Sequence, residues 1–246
     1  MTTSPTPLKP ADRLLIALDF DNEADALRLV RSLAGQVGGF KIGLELVNAV
    51  GFDIFERVRD AGGDRIFYDA KFHDIPNTVA GAVRAAARRG VWMVNVHASG
   101  GRAMLEAAHE AAETVSTPPL LIGVTVLTSI NEATLNQDLR VEGLVDEQVE
   151  HLARLCQASG LDGVVASPQE VDRIRTVCGP EFVTVIPGVR PAGVASHDQA
   201  RVATPGQAVR DGAHYLVVGR AVTGATDPVF AAKQIAREVA NALSPT

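Results

Sequence analysis

Between Phe67 and Thr78 the chain reads FYDAKFHDIPNT, which sets Asp69, Lys71 and Asp74 within a few positions of one another. The residues leading into them have strand character, so Asp69 and Lys71, two apart, project from the same face of an extended chain. Two carboxylates crowding one ammonium at the end of a buried strand is an arrangement that stability alone does not require. A metal site is the poorer reading, because a lysine between the carboxylates competes with the cation. A Schiff-base lysine must be neutral and gains from apolar or cationic neighbours, whereas flanking carboxylates favour the ammonium. A fixed ammonium is suited to stabilising a developing carbanion and then protonating it. A fixed carboxylate beside it repels a substrate carboxylate and favours its loss as CO2. The constellation suits decarboxylation with no cofactor and no metal. The competing reading is a surface ion-pair cluster. Phe67-Tyr68 before it and Ile75-Pro76 after it argue instead for partial burial.

Other polar residues stand at the ends of apolar runs. Lys41 lies inside GFKIG, and a lysine is rarely buried without a partner. Asp19 stands near the end of LLIALDF; a lone aspartate there is more often a helix cap or a turn residue. Asn95 and His97 end VWMVNVH and either serve the site or satisfy backbone groups at its rim. His73 reads as a structural hydrogen bonder. Thr128 and Ser129 follow LLIGVTVL, and Pro187-Gly188-Val189-Arg190 follows FVTVI. Gly219-Arg220 ends HYLVVGR and has the character of an anion site, with backbone N–H groups open to approach and a guanidinium to supply charge.

The elements that must position these residues are eight apolar runs: Leu14–Phe20, Gly39–Gly43, Arg65–Lys71, Val91–His97, Leu120–Leu127, Asp162–Ser167, Phe182–Gly188 and His214–Arg220. Each is continuously apolar rather than alternating, as strands buried on both faces in a parallel sheet must be. Amphipathic helical patterns separate them. Asn22, Ser167-Pro168, Thr204-Pro205 and Asp227-Pro228 provide helix starts, Gly90 and Gly160 helix ends. Val229, Phe230, Ile235 and Val239 form the apolar stripe of the last helix. Eight strand–helix units predict an α/β fold of the TIM (β/α)8-barrel type, with an open doubly wound sheet as the alternative. In a barrel the active site gathers at the C-terminal strand ends, where these polar residues stand. The expected organisation is a mobile leader over 1–12 and one catalytic barrel over 13–246. Two long connections, Thr128–Gly143 and Arg190–Ala203, read as binding or lid loops.

Composition narrows the function further. Among 246 residues, 46% are hydrophobic and only 4% aromatic, so the core is aliphatic. A net charge of −6 argues against a nucleic-acid partner, which needs a positive surface to displace counterions. No run reaches membrane-spanning length and no apolar signal core opens the chain, so the expectation is a cytoplasmic protein with no membrane partner. Cys156 and Cys178 lack metal-ligand spacing and read as buried free thiols in helices.

Taken together, ALDF around Asp19, FKIGLEL around Lys41, the DxKxxDIPNT block, NVHASGG, VTVLTS, VIPGVRP and VVGRAVT resemble the orotidine 5′-phosphate decarboxylase family from Leu14 to about Thr226. Ala221 departs from the proline that the family often carries after the arginine. The resemblance implies conversion of orotidine 5′-monophosphate to UMP and CO2 in pyrimidine synthesis. It makes Lys71 the proton donor to C6 and sets Asp69 beside the leaving carboxylate. Asp19 and Lys41 would bind the ribose hydroxyls, with Lys41 extending the charged array. Asp74, with Ile75 and Thr78, would reach the neighbouring site of a homodimer. Thr128 would contact the base or its nearby backbone, Pro187 would belong to the substrate-binding set, and Arg190, Gln199, Gly219 and Arg220 would bind the phosphate side. Two rivals follow: a Mg²⁺-dependent sugar-phosphate enzyme on the same scaffold, and a catalytically dead barrel that binds nucleotide.

Overall fold

A computed structural model describes residues 8–190 and 203–244. All eight expected strands are present: β1 (Leu14–Ala17), β2 (Gly39–Gly43), β3 (Ile66–Phe72), β4 (Met93–His97), β5 (Leu120–Val124), β6 (Gly163–Val165), β7 (Val183–Ile186) and β8 (Tyr215–Val218). They pair in parallel in sequence order, and β1 closes on β8 through Leu14↔Leu216, Leu15↔Val217 and Ile16↔Val218. The result is the (β/α)8 barrel, and the open-sheet alternative falls.

The double burial that makes the strands continuously apolar is visible as two cores. Leu14, Ile16, Ile42, Ile66, Val94, Leu121, Val164, Ile186 and Leu216 point outward and pack beneath the helices. Leu15, Ala17, Phe67, Met93, Ile122, Val185, Tyr215 and Val217 fill the barrel itself, with Leu8 and Trp92 packed against them. Trp92 and Tyr215 meet edge to face at 5.1 Å and Arg65 lies over the indole, which plugs the N-terminal floor. Next to this plug the His214 Nδ1 accepts the Thr184 N–H at 3.1 Å, and Arg13 donates to the carbonyls of Ala213 and His214.

Helix starts follow the sequence signals. Asn22, Ser167, Thr204 and Asp227 each accept a backbone N–H from the first turn that follows. Ser167 and Glu170 complete a reciprocal capping box, whereas the Gln207 side chain turns away from Thr204 to Asp211 and Arg210. In the last helix, Pro228–Leu243, the buried stripe is Ala232, Ile235 and Val239; Phe230, expected on it, is exposed. A 3.6-residue period puts 232, 235 and 239 on one face and rotates 230 off it. Cys156 packs against Gly123 of β5, and burial pushes its thiol up to about 12, so it behaves as a small core residue. No helix of the described residues is long and apolar enough to cross a membrane.

Candidate functional site

Along each strand the inward positions are apolar at the floor and become polar toward the C-terminal rim. On β3 the inward series runs from Phe67 to Asp69, on β4 from Met93 to Asn95, and on β2 Lys41 stands level with Phe67 and with Ala17 of β1. The ammonium of Lys41 lies 3.0 Å from Asp19 Oδ1 and 3.4 Å from Asp69 Oδ2. Asp69 Oδ1 in turn accepts from Lys71 Nζ at 2.6 Å. The rim therefore carries an alternating row, Asp19, Lys41, Asp69, Lys71. Gly43 leaves room for it: a Cβ there would stand 3.0 Å from Lys41 Nζ.

Two members of the row are deeply buried, and their charges are kept by one another. Burial alone would push the Asp69 carboxyl up, but Lys41 and Lys71, with hydrogen bonds from Lys71 and Asn95, hold it below its ordinary value. Burial alone would lower the Lys41 ammonium, and Asp69 and Asp19 reverse this and raise it. At pH 7 both are therefore charged, and Lys41 and Asp69 form a fixed ion pair rather than a proton-sharing one.

Lys71 departs from the extended conformation expected of it. Its φ is +51°, in the left-handed region, which costs a non-glycine residue about 1–2 kcal/mol. The register between β3 and β4 shifts at the same place: Tyr68 pairs with Val94, and the next pair is Phe72 with Val96. Lys71 is half-buried with its ammonium at the cavity wall.

Asp74 does not join the cluster, which corrects the expectation of two carboxylates flanking one lysine. It is exposed, accepts the N–H of Ile75 at 2.6 Å and makes no ion pair with Lys71 within the chain. It stands between the left-handed residue Lys71 and the helix that starts at Pro76, with its side chain turned to the Ile75 N–H rather than to the Lys71 ammonium. Ile75 and Thr78 are exposed beside it. The second carboxylate of the array is instead Asp19, reached through Lys41.

Two cavities open side by side above the row. One, about 180 Å³, has Lys41, Asp69 and Lys71 on one side and an apolar wall of Val124, Val126, Val165, Pro187 and Val217, with Thr128 at its edge. The other, about 200 Å³, is lined by Asp19, Lys41, Pro187, Gly188, Arg190, Gly219 and Arg220. They share Lys41, Pro187 and Val217, so together they form one cleft with an apolar slot at one end and two guanidinium residues at the other. A Cβ at Gly219 would meet only Ala17, at 3.9 Å, so packing does not demand glycine there. Asp19, Lys41, Asp69, Lys71, Thr128, Pro187, Arg190, Gly219 and Arg220 thus come together as predicted. Gln199 lies outside the described residues.

The neighbourhood also includes residues whose roles the sequence left open. Asn95, fully buried, donates from Nδ2 to Asp69 Oδ1 at 2.7 Å and accepts the Lys71 N–H on Oδ1 at 2.7 Å. The signal that marks it is the one that marked Lys41: a polar side chain inside an apolar strand needs partners. The rings of His73 and His97 lie 5.3 Å apart, and burial, then His73 and Lys71, push the His97 imidazole down. Among the described residues no group of three or more His, Cys, Asp and Glu side chains is placed to hold a metal ion.

Comparison with known proteins agrees with this geometry. An orotidine 5′-phosphate decarboxylase from Moorella thermoacetica is 52% identical over 93% of this chain and 92% of its own length. One from Syntrophotalea carbinolica is 50% identical over 94% and 96%. The crystal structure of orotidine 5′-phosphate decarboxylase from Lactobacillus acidophilus superposes with a TM-score of 0.81 at 36% identity, covering 92% of this chain and 98% of that one. Residues 12–235 match the orotidine 5′-phosphate decarboxylase / HUMPS family, and the chain belongs to it.

Proposed function

We propose that the chain decarboxylates orotidine 5′-monophosphate to UMP and CO2, with Lys71 delivering the proton to C6 and Asp69 set against the departing carboxylate. The observation that carries the assignment of roles is the buried alternating row at the junction of an apolar slot and an arginine-lined recess. The slot suits a flat pyrimidine, with Thr128 and Pro187 at its margin. The recess suits a phosphate on Gly219, Arg190 and Arg220, and Asp19 and Lys41 between them suit the ribose hydroxyls. Ammonium groups on both sides of Asp69 stabilise negative charge developing at C6, and Lys71 then transfers its proton to that carbon. Asp69, kept ionised by its neighbours, repels the substrate carboxylate more than the transition state from which CO2 is leaving.

Asp74, Ile75 and Thr78, exposed on one side of the mouth, are assigned to the neighbouring site of a homodimer. A cytoplasmic location fits a biosynthetic enzyme acting on a nucleotide. The decisive experiment follows loss of orotidine 5′-monophosphate by absorbance, with and without EDTA, for the wild type and Lys71→Ala. Turnover that survives EDTA and vanishes with Lys71→Ala supports the reading. A dependence on Mg²⁺, or nucleotide binding without turnover, overturns it. Mixing Asp74→Ala chains with Lys71→Ala chains tests the shared site. Recovered activity is expected, and none despite demonstrated chain exchange refutes it.

A further inference from the structure

We infer that Asn95 is a positioning residue for this reaction, clamping the Lys71 backbone and the Asp69 carboxylate so that the ammonium and the carboxylate keep one fixed relation. The inference rests on the decarboxylase reading above. Between the pairs Tyr68↔Val94 and Phe72↔Val96, β3 spends three residues, Asp69, Ala70 and Lys71, against the single Asn95 of β4. Such a bulge leaves backbone groups out of the ladder and re-aims side chains, and bulges recur beside active sites. Here the Asn95 side chain takes the place of the missing ladder partner. Its Oδ1 accepts the N–H of Lys71, the residue in the left-handed conformation, and its Nδ2 fills a position on Asp69 Oδ1 beside the Lys71 ammonium. One planar amide thus ties the Lys71 backbone to the Asp69 carboxylate, and it has no exposure through which water could substitute. An aspartate in the same place would accept from Lys71 but could donate to Asp69 only when protonated.

This difference between amide and acid supplies the test. Asn95→Ala is expected to lower kcat about 100-fold, as misplacement of reacting groups by a fraction of an ångström to an ångström does, while UMP binding measured by calorimetry changes less than about threefold. Asn95→Asp is expected to retain kcat at acid pH, where the introduced carboxyl donates to Asp69. It should lose kcat as pH rises and that proton leaves, a descending limb absent from the wild type and from Asn95→Ala. The charged and titratable groups facing the introduced carboxyl are Asp69 and Lys71 of β3, Lys41 of β2 with Asp19 behind it, and His97 with His73. Lys41 and Lys71 pull the limb to lower pH, and Asp69 pushes it up. An alanine variant with unchanged kcat, a loss confined to KM, or an aspartate variant without the new limb overturns the inference. If Asn95→Ala does not fold, the limb in Asn95→Asp decides alone. An inactive wild type would instead defeat the decarboxylase reading itself.

Discussion

Lys41→Met and Asp69→Leu break the same ion pair, and the structure predicts unequal costs in stability. At 3.4 Å the Lys41–Asp69 attraction is about 5 kcal/mol at an effective dielectric constant near 20. Taking the ammonium out of water costs several kcal/mol, and methionine avoids that cost at similar volume. The Asp19 arm adds little, because the Asp19 side chain is 54% exposed and such a contact is worth about 0–1 kcal/mol. Above all, Asp69 stripped of Lys41 still has Lys71 at 2.6 Å and Asn95 at 2.7 Å. Lys41→Met should therefore remain within about 1 kcal/mol of the wild type. Asp69→Leu leaves two ammonium groups facing an apolar side chain and an orphaned Asn95 amide, a loss of about 3–5 kcal/mol. The assay is urea unfolding at matched protein concentration, read by Trp92, the sole tryptophan, which stands in the barrel floor away from both substitutions. Equal losses for the two variants, or a larger loss for Lys41→Met, would refute the account of which partner supports the other. Both should lose turnover.

Gly43→Ala brings a methyl group to 3.0 Å from Lys41 Nζ and 3.7 Å from Asp19 Oδ1 in a backbone conformation that alanine accepts. Its thermal midpoint should hold while kcat/KM falls about tenfold, because the flexible ammonium is what yields. Burial, then Arg175 and Arg13, push the His214 imidazole from 6.5 down to about 4. The unfolded chain therefore binds the extra proton, so this group's contribution is complete above about pH 6.5 and is lost as pH falls toward 4. After discounting for partial exposure it is worth about 2 kcal/mol. His214→Asn should flatten the pH dependence of unfolding by that amount over this window. Arg220→Ala should reduce kcat as well as raise KM, with kcat/KM down about 10- to 100-fold. A change confined to KM would mean that the anion end only anchors the ligand.

The strands were legible because burial on both faces writes itself as an unbroken apolar run, and because the helices between them begin with side-chain caps. Their C-terminal limits were less so. The run Leu120–Leu127 leaves the strand after Val124, and Phe182–Gly188 leaves it after Ile186. At those points apolar residues line the cleft rather than a ladder, and composition does not distinguish the two. Lys41 was legible as a buried cation in need of partners; which carboxylates answered it was not, since Asp19 reaches it from just beyond the end of β1 and Asp69 from β3. Asp74 is a similar case: nearness in sequence to Lys71 does not bring its carboxylate to the Lys71 ammonium within the chain, and the left-handed residue at Lys71 is invisible in the motif. The register shift that makes Asn95 important is a relation between β3 and β4, invisible in either strand alone.

A single general acid contributes about 10²–10⁴ in rate, roughly 3–5.5 kcal/mol. Cofactor-free loss of CO2 lies toward the demanding end of the ~8–23 kcal/mol that enzymes supply. The remainder must come from groups already oriented before the substrate arrives. In this chain those groups sit on strands: Lys41 on β2, Asp69 and Lys71 on β3, and Asn95 on β4. The row they form also crosses from one cavity to the other, since Lys41 lines both and touches both Asp19 and Asp69. Contacts made by the non-reacting end of the substrate therefore have a path to the reacting end through the packed barrel, by way of Lys41. That is the geometry needed for phosphate binding energy to be expressed in the chemical step.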